Sequence, residues 1–193
     1  MKSSDVGVLH ELLLQETINT CGHEERKGQL SMSWLSLPVE EIVQRVKNGH
    51  HEGLEKKLKF YQGTRAEEGM RTRLKAVLAF SPGQAIGEWK EPRLLTAYEG
   101  RLTGHTDGAI GDTVVEIKTI PDRRAMEEMQ HRGKLPFKVY AQVQSYIFWG
   151  RFRDGLVIYE TRVEGEQWLV PVMPNRHVQE ELRQKAEQVI KLL

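Results

Sequence analysis

Two acids and a lysine, Asp107, Glu116 and Lys118, stand close together in the stretch GRLTGHTDGAIGDTVVEIKTI, residues 100–120. The stretch reads as a tight β-hairpin. Gly111-Asp112 supplies its two-residue turn, glycine giving the positive φ that a primed turn requires at its first central position. With Ile110 facing Thr113, the ladder sets Asp107 opposite Glu116 and His105 opposite Lys118. Glu116 and Lys118 are two apart in a strand and share one face, while Val115, Ile117 and Thr119 point the other way into the core. Like charges directly opposite one another in a sheet are unfavourable. A divalent cation removes the conflict, because carboxylates and a backbone carbonyl form the hard-oxygen environment that Mg²⁺ or Mn²⁺ prefers. Lys118 beside them can stabilise developing negative charge, or orient and help to deprotonate an attacking water. That chemistry is the hydrolysis of a phosphate ester. The three residues also satisfy a plainer description, as solvated or ion-paired charges on a hairpin face, so partners elsewhere in the chain must decide.

The elements that would position these groups follow from hydrophobic period and turn residues. Residues 6–16 have helical spacing at Val8, Leu9, Leu12 and Leu13, and a polar loop follows. Pro38 opens a second helix with apolar residues at Val39, Ile42, Val43 and Val46, stopped by Asn48-Gly49. His50 and His51 follow in that loop, and adjacent histidines cannot share one helix face. Residues 54–80 carry the longest helical pattern, with Leu58, Tyr61, Met70, Leu74, Val77 and Leu78 on repeating faces, before Ser81-Pro82-Gly83. Over residues 88–119 the period shifts toward two, and a helix returns over 139–149. Strand-like runs at 155–163 and 167–173 are joined at Glu164-Gly165, and Asn175 caps a terminal helix. The order predicts a mixed α/β domain, with helices around a small central sheet.

The chain has 193 residues, 39% hydrophobic and 28% charged, which is globular composition for one domain over 1–193. No apolar run reaches the roughly 20 residues of a membrane span, and the acids near the N-terminus are unlike a signal peptide. A cytoplasmic protein without a membrane role is expected. The single cysteine, Cys21, excludes an internal disulfide and a multi-cysteine metal site, so a metal must be held by oxygen or nitrogen. The net charge of +1 says nothing about partners, since a basic cleft can sit inside a neutral total.

Asp107 followed by Glu116-Ile117-Lys118 resembles the PD-(D/E)XK nuclease superfamily. His105-Thr106 precede the aspartate where the name has proline, the loosest part of that pattern. Gln142-Val143-Gln144-Ser145-Tyr146 resembles the Q-x-x-x-Y motif of RecB-like nucleases, on a helix after the hairpin. Its i, i+4 spacing sets Gln142 and Tyr146 on one face, where an amide and a phenol can contact a phosphate or a base, or brace the active-site residues. Gly63-Thr64-Arg65-Ala66-Glu67 resembles the G-x-x-x-(H/E) element of RecB-like and phage-exonuclease-like members. Helical spacing sets Glu67 with Met70 and Leu74, and Glu68 with Arg71, Thr72 and Lys75, so Glu67 is the inward candidate. A salt bridge to Arg71 is its plainer use. Residues 29–36, QLSMSWLS, are similar to the serine-rich segment that opens many RecB-like domains.

The resemblance implies a restriction-endonuclease-like α/β core over about 31–193, after an N-terminal helix and loop at 1–30. It implies one or two Mg²⁺ or Mn²⁺ ions on Asp107, Glu116, Glu67 and the carbonyl of Ile117, with Lys118 near the nucleophilic water. The activity implied is metal-dependent DNA hydrolysis, as an exonuclease on single-stranded or end-containing DNA, in recombination, repair, or phage or mobile-element DNA processing. Gln142, Tyr146, His105, Arg123 and Arg124 are the candidate nucleic-acid contacts. The two arginines belong, with Arg132, Lys134 and Lys138, to a basic loop that could track a phosphate backbone. One cysteine cannot build the four-cysteine iron–sulfur cluster of some CRISPR-associated relatives. The chain would act alone, with a protein partner, or as a homo-oligomer. The alternative is a catalytically idle nucleic-acid-binding or assembly subunit of the same fold, which predicts a missing ligand; here all are present.

Overall fold

The computed structural model describes residues 28–48, 54–79 and 87–193, with the backbone alone for residues 54–62 and Thr64. The helix expected at 6–16, Cys21, the His50-His51 pair and the Ser81-Pro82-Gly83 stop lie outside the described residues. The elements in chain order are β1 Leu30–Ser31, a 3-10 turn at Met32–Trp34, α1 Val39–Asn48, α2 Leu54–Ala79, β2 Trp89–Lys90, β3 Leu94–Ala97 and β4 Leu102–His105. Then come β5 Gly108–Ile110, β6 Thr113–Ile120, α3 Arg123–Arg132, α4 Phe137–Gly150, β7 Asp154–Thr161, β8 Gln167–Val172 and α5 Arg176–Leu192. Helix α1 starts where Pro38 predicts, with the Pro38 carbonyl accepting from the Ile42 N–H at 3.1 Å. Asn175 caps α5 by accepting from the Val178 N–H at 3.3 Å.

Five strands form a mixed sheet in the order β2-β5-β6-β7-β8, and three more form a second sheet, β1-β4-β3. Strands β6 and β7 are parallel along their whole length, from Thr113–Asp154 to Ile120–Thr161. A parallel neighbour needs a crossover, and α3 and α4 supply it. The turn sets the register that the sequence predicts, Ile110 opposite Thr113, but the β5–β6 ladder ends at Gly108–Val115. The predicted pairing of His105 with Lys118 is therefore wrong. His105 pairs with Leu94 in the other sheet, and the Thr106 N–H goes to the Arg93 carbonyl at 3.1 Å. The chain leaves one sheet for the other between residues 105 and 108, which a single uninterrupted hairpin strand does not anticipate.

Both faces of β6 are covered. Val115 and Ile117 pack with Met70 of α2 and Ile158 of β7. Val114 and Ile120 point the other way, into the larger core shared with α4 and α5 residues such as Val143, Tyr146, Leu182 and Val189. The expected division of β6 into a core face and a solvated charged face thus gives way to a strand buried on both sides, as parallel pairing favours. A second correction concerns the basic loop. Residues 123–132 are helical, started by Asp122, whose carboxylate accepts from the Ala125 N–H, and ended by Gly133 with φ of 62°. Two arginines in its first turn oppose the helix dipole, and Met126 is its one buried residue, so the periodic signal was faint.

Helix α4 lies directly on the sheet at Gly155, where an added Cβ would stand 2.4 Å from Val143 Cγ1. Val143 is stiff and fully buried, so neither side can yield cheaply. Gly155→Ala is expected to cost about 1–3 kcal/mol, lowering the thermal midpoint by roughly 5 °C. An unchanged midpoint in a thermal melt would show that α4 does not sit this close.

Candidate active site

Where β5 ends, β6 continues for five residues with no partner on that side among the described residues. Asp107 fills the first gap. Its Oδ2 accepts a hydrogen bond from the Ile117 N–H at 2.7 Å, a side chain standing in for the next strand rung. In a strand the N–H and C=O of one residue face the same side, so the Ile117 carbonyl also opens beside Asp107. Glu116, the neighbour of this amide, is buried with 1% of its side chain exposed. Its Oε1 is ion-paired with the Lys118 ammonium, and its Oε2 is buried without a hydrogen-bond partner. The Lys118 side chain is 32% exposed and forms the wet wall of the site.

Glu67 approaches from α2. Met70 and Leu74 anchor this stretch against β6, and Glu67 stands half-buried one turn earlier, as its helical spacing predicts. Among the described residues Glu67 has no hydrogen bond or ion pair, and Arg71 acts on it only through space. Glu68 is exposed.

The charges sense one another. Burial and then the charge of Asp107 push Glu67 up to about 7, against the pull of Lys118 and Arg71. Burial pushes Glu116 up to about 8, with Lys118 opposing and Asp107 and Glu67 adding to the rise. Asp107 is raised by burial, which outweighs Lys118, the Ile117 N–H and Arg71. For Lys118 burial acts downward, but Glu116, Asp107 and Glu67 together hold the ammonium above its ordinary value. Three carboxyls and one ammonium therefore share a pocket that carries more negative charge than it can neutralise. As the side chains stand, no three His, Cys, Asp or Glu groups among the described residues converge tightly enough to chelate an ion. Lys118 takes the place of a cation on Glu116.

The other sequence candidates have different surroundings. Tyr146 is buried, and its hydroxyl donates to the His105 carbonyl at 2.7 Å while accepting from Gln142 Nε2 at 2.7 Å. Of the uses open to this pair, the geometry builds the brace: α4 holds β4 at its last residue, just before the chain turns to Asp107. His105 itself is exposed on the second sheet. Arg123 is bound to Glu166 and Arg124 to Glu128, so neither guanidinium is directed at the carboxyls. Arg132, Lys134 and Lys138 are exposed around the α3–α4 turn. Tyr159 was not singled out from the sequence, yet it lies directly across from Lys118 on β7. No local signal marks it, because its place depends on the parallel register.

The arrangement of sheets and crossover helices is similar to that of solved exonucleases. LHK-Exo, an alkaline exonuclease from Laribacter hongkongensis, is 16% identical over 86% of this chain and 90% of that one, with a TM-score of 0.60. Its complex with dAMP gives 0.64 over 86% and 88% at the same 16% identity. A phage-related exonuclease from Haemophilus somnus is 10% identical over 84% and 92%, with a TM-score of 0.54. The chain has the fold of these exonucleases. Neither a protein-family model nor a curated protein matches the sequence. At identities this low the likeness is one of fold. Within this fold, the chemistry of the chain has to be argued from its own residues.

Two outcomes test the electrostatics and the brace. An acid with a raised folded pKa contributes full stability below its unfolded value, near 4.5, and loses it as pH rises through about 7 for Glu67 and about 8 for Glu116. With divalent ions chelated, the thermal midpoint should fall over that window by on the order of 5 °C, and a flat profile would contradict the crowding of carboxyls. Tyr146→Phe leaves the His105 carbonyl without its donor and should cost about 1–2 kcal/mol in a denaturant titration, unlike an exposed Tyr→Phe change.

Proposed function

We propose that this protein is a divalent-metal-dependent deoxyribonuclease that hydrolyses phosphodiester bonds at DNA ends. The observation that carries the reading is Glu116 Oε2, a buried carboxylate oxygen with no partner, in a pocket where Asp107 and Glu67 add further negative charge. A buried, unsatisfied acceptor is costly and calls for an explanation. A hard cation supplies one. Asp107, Glu116, Glu67 and the Ile117 carbonyl would hold Mg²⁺ or Mn²⁺, and this all-oxygen set fits either ion. When bound, such an ion polarises a phosphoryl oxygen and makes coordinated water more acidic.

The chain's own groups do the rest. Lys118 is held in its ammonium form, so its part is to donate hydrogen bonds to the attacking water or to a phosphate oxygen and to stabilise negative charge there. Gln142 and Tyr146 fix the strand that delivers Asp107, and the half-buried Gln142 carries its amide at the rim. Arg132, Lys134 and Lys138 offer exposed cations for a phosphate backbone. DNA as substrate, and action from an end, are supported by the exonucleases that share the fold. The idle-module reading predicts a missing ligand, whereas Asp107, Glu116, Glu67 and Lys118 are all present in the sequence.

The test is cleavage of linear and circular DNA, single- and double-stranded, with Mg²⁺ or Mn²⁺. Wild type should cut linear DNA and spare circles, and Lys118→Ala and Glu116→Gln should each lose about a hundredfold or more in rate. Mn²⁺ should also raise the wild-type thermal midpoint, by mass action on the native state, and Glu116→Gln should blunt that rise. Cleavage that survives both substitutions would remove the pocket from the mechanism.

A further inference from the structure

Glu116 Oε2 is not the only orphan on this face of the sheet. The Tyr159 hydroxyl is also buried without a hydrogen-bond partner, in a residue only 2% exposed. Partners directly opposite in a parallel pair share a face, so Tyr159 stands beside Lys118. Trp168 of β8 pairs with Tyr159 in turn and stacks on its ring, with centroids 5.6 Å apart and planes at 22°. Lys118, Tyr159 and Trp168 thus form one row across three strands. The stacking fixes the direction of the phenol, and a phenylalanine would serve the packing without leaving a buried hydroxyl unsatisfied. The charges of Lys118 and Glu116 act on this phenol, which places it in the field of the site.

Resting on the nuclease reading above, we propose that Tyr159 is a positioning residue for Lys118. Its hydroxyl is the second docking point for the Lys118 ammonium, used when the Glu116 carboxylate is taken by a cation. In the structure Lys118 is bound to Glu116 Oε1 and so occupies the acid it must vacate. An ammonium released from that pair needs an acceptor at the same height on the sheet. Tyr159 is the buried, unpartnered acceptor on the adjacent strand, within the sweep of the lysine stem at a strand spacing of about 4.8 Å. Held there, Lys118 keeps its remaining N–H groups directed at the incoming water and phosphate. Tyr159 is too buried to touch DNA itself, which is why its action must pass through the lysine.

The test compares wild type with Tyr159→Phe, which keeps the ring and its stack. In metal-free protein the thermal midpoint should not fall, since the hydroxyl has no partner to lose. With Mg²⁺ and saturating linear DNA, kcat should fall about tenfold with KM unchanged. In protein labelled with ¹⁵N-lysine, Mg²⁺ should make the Lys118 ammonium signal observable in wild type through protection from exchange, and Tyr159→Phe should abolish that protection. Equal Lys118 signals in the two proteins overturn the proposal whatever the rate does, as does a variant that cuts like wild type. If wild type neither cuts DNA nor responds to Mg²⁺, the nuclease reading itself fails and takes this inference with it.

Discussion

The hydrogen bond from the Ile117 N–H to the Asp107 carboxylate is the point on which the site turns. A five-stranded sheet would normally close the flank of β6 with backbone along its whole length. Here β5 ends after three residues, and a side chain takes the next amide. The substitution has two effects at once. It satisfies a donor that would otherwise be buried and orphaned, and it fixes a carboxylate against the strand that carries Glu116 and Lys118. The chain can then cross to the second sheet, where β4 is held by β3, β1 and the Tyr146 hydroxyl.

Around these residues the fold accepts electrostatic cost. Glu116 is as buried as the valines and isoleucines of its own strand, yet one oxygen lacks any partner and the other relies on Lys118. Burying such a pair gains little, because desolvation cancels much of the attraction. The cost is carried by hydrocarbon on both sides: α4 and α5 on one face, α2 on the other. Some other polar groups buried in this core do have hydrogen-bond partners. Gln144, for instance, bonds the Met173 carbonyl, the Asn175 N–H and the Gln179 amide. Orphaned atoms are not confined to the carboxyl cluster, since Ser36 Oγ and Trp89 Nε1 are also buried without a partner.

Much of this was legible in the sequence, for identifiable reasons. The Gly111-Asp112 turn allows one tight register, so the ladder from Ile110–Thr113 to Gly108–Val115 could be read by counting residues, although it stops before Asp107 can pair with Glu116. Glu67 could be separated from Glu68 because a helix has one inward face and Met70 and Leu74 mark it. The divergence at His105 could not be read, since β4 and β5 together look like one alternating strand and the break is decided by Arg93 and Leu94, far back in the chain. Helix α3 was hidden by its composition, with a single buried methionine and arginines at the wrong end of the dipole. Tyr159 was invisible for a third reason. Its neighbour Lys118 is 41 residues away in number, and only a parallel pairing across two helices brings them together.

The two cores explain why the third carboxyl comes from so distant an element. β6 alone can present acids on one face or the other, and its faces are committed to hydrocarbon except at Glu116 and Lys118. A further carboxyl must therefore reach this flank from outside the sheet. Helix α2 does so because it runs against the Ile117 face: Gly63 stands close enough to the strand that an added Cβ would meet Thr119 Oγ1 at 3.7 Å, and Met70 is locked between Val115 and Ile158. Glu67 falls between these two contacts, about a turn from each, near enough to Asp107 to sense its charge. The position of the acid is thus set by packing on its own helix rather than by any bond it makes.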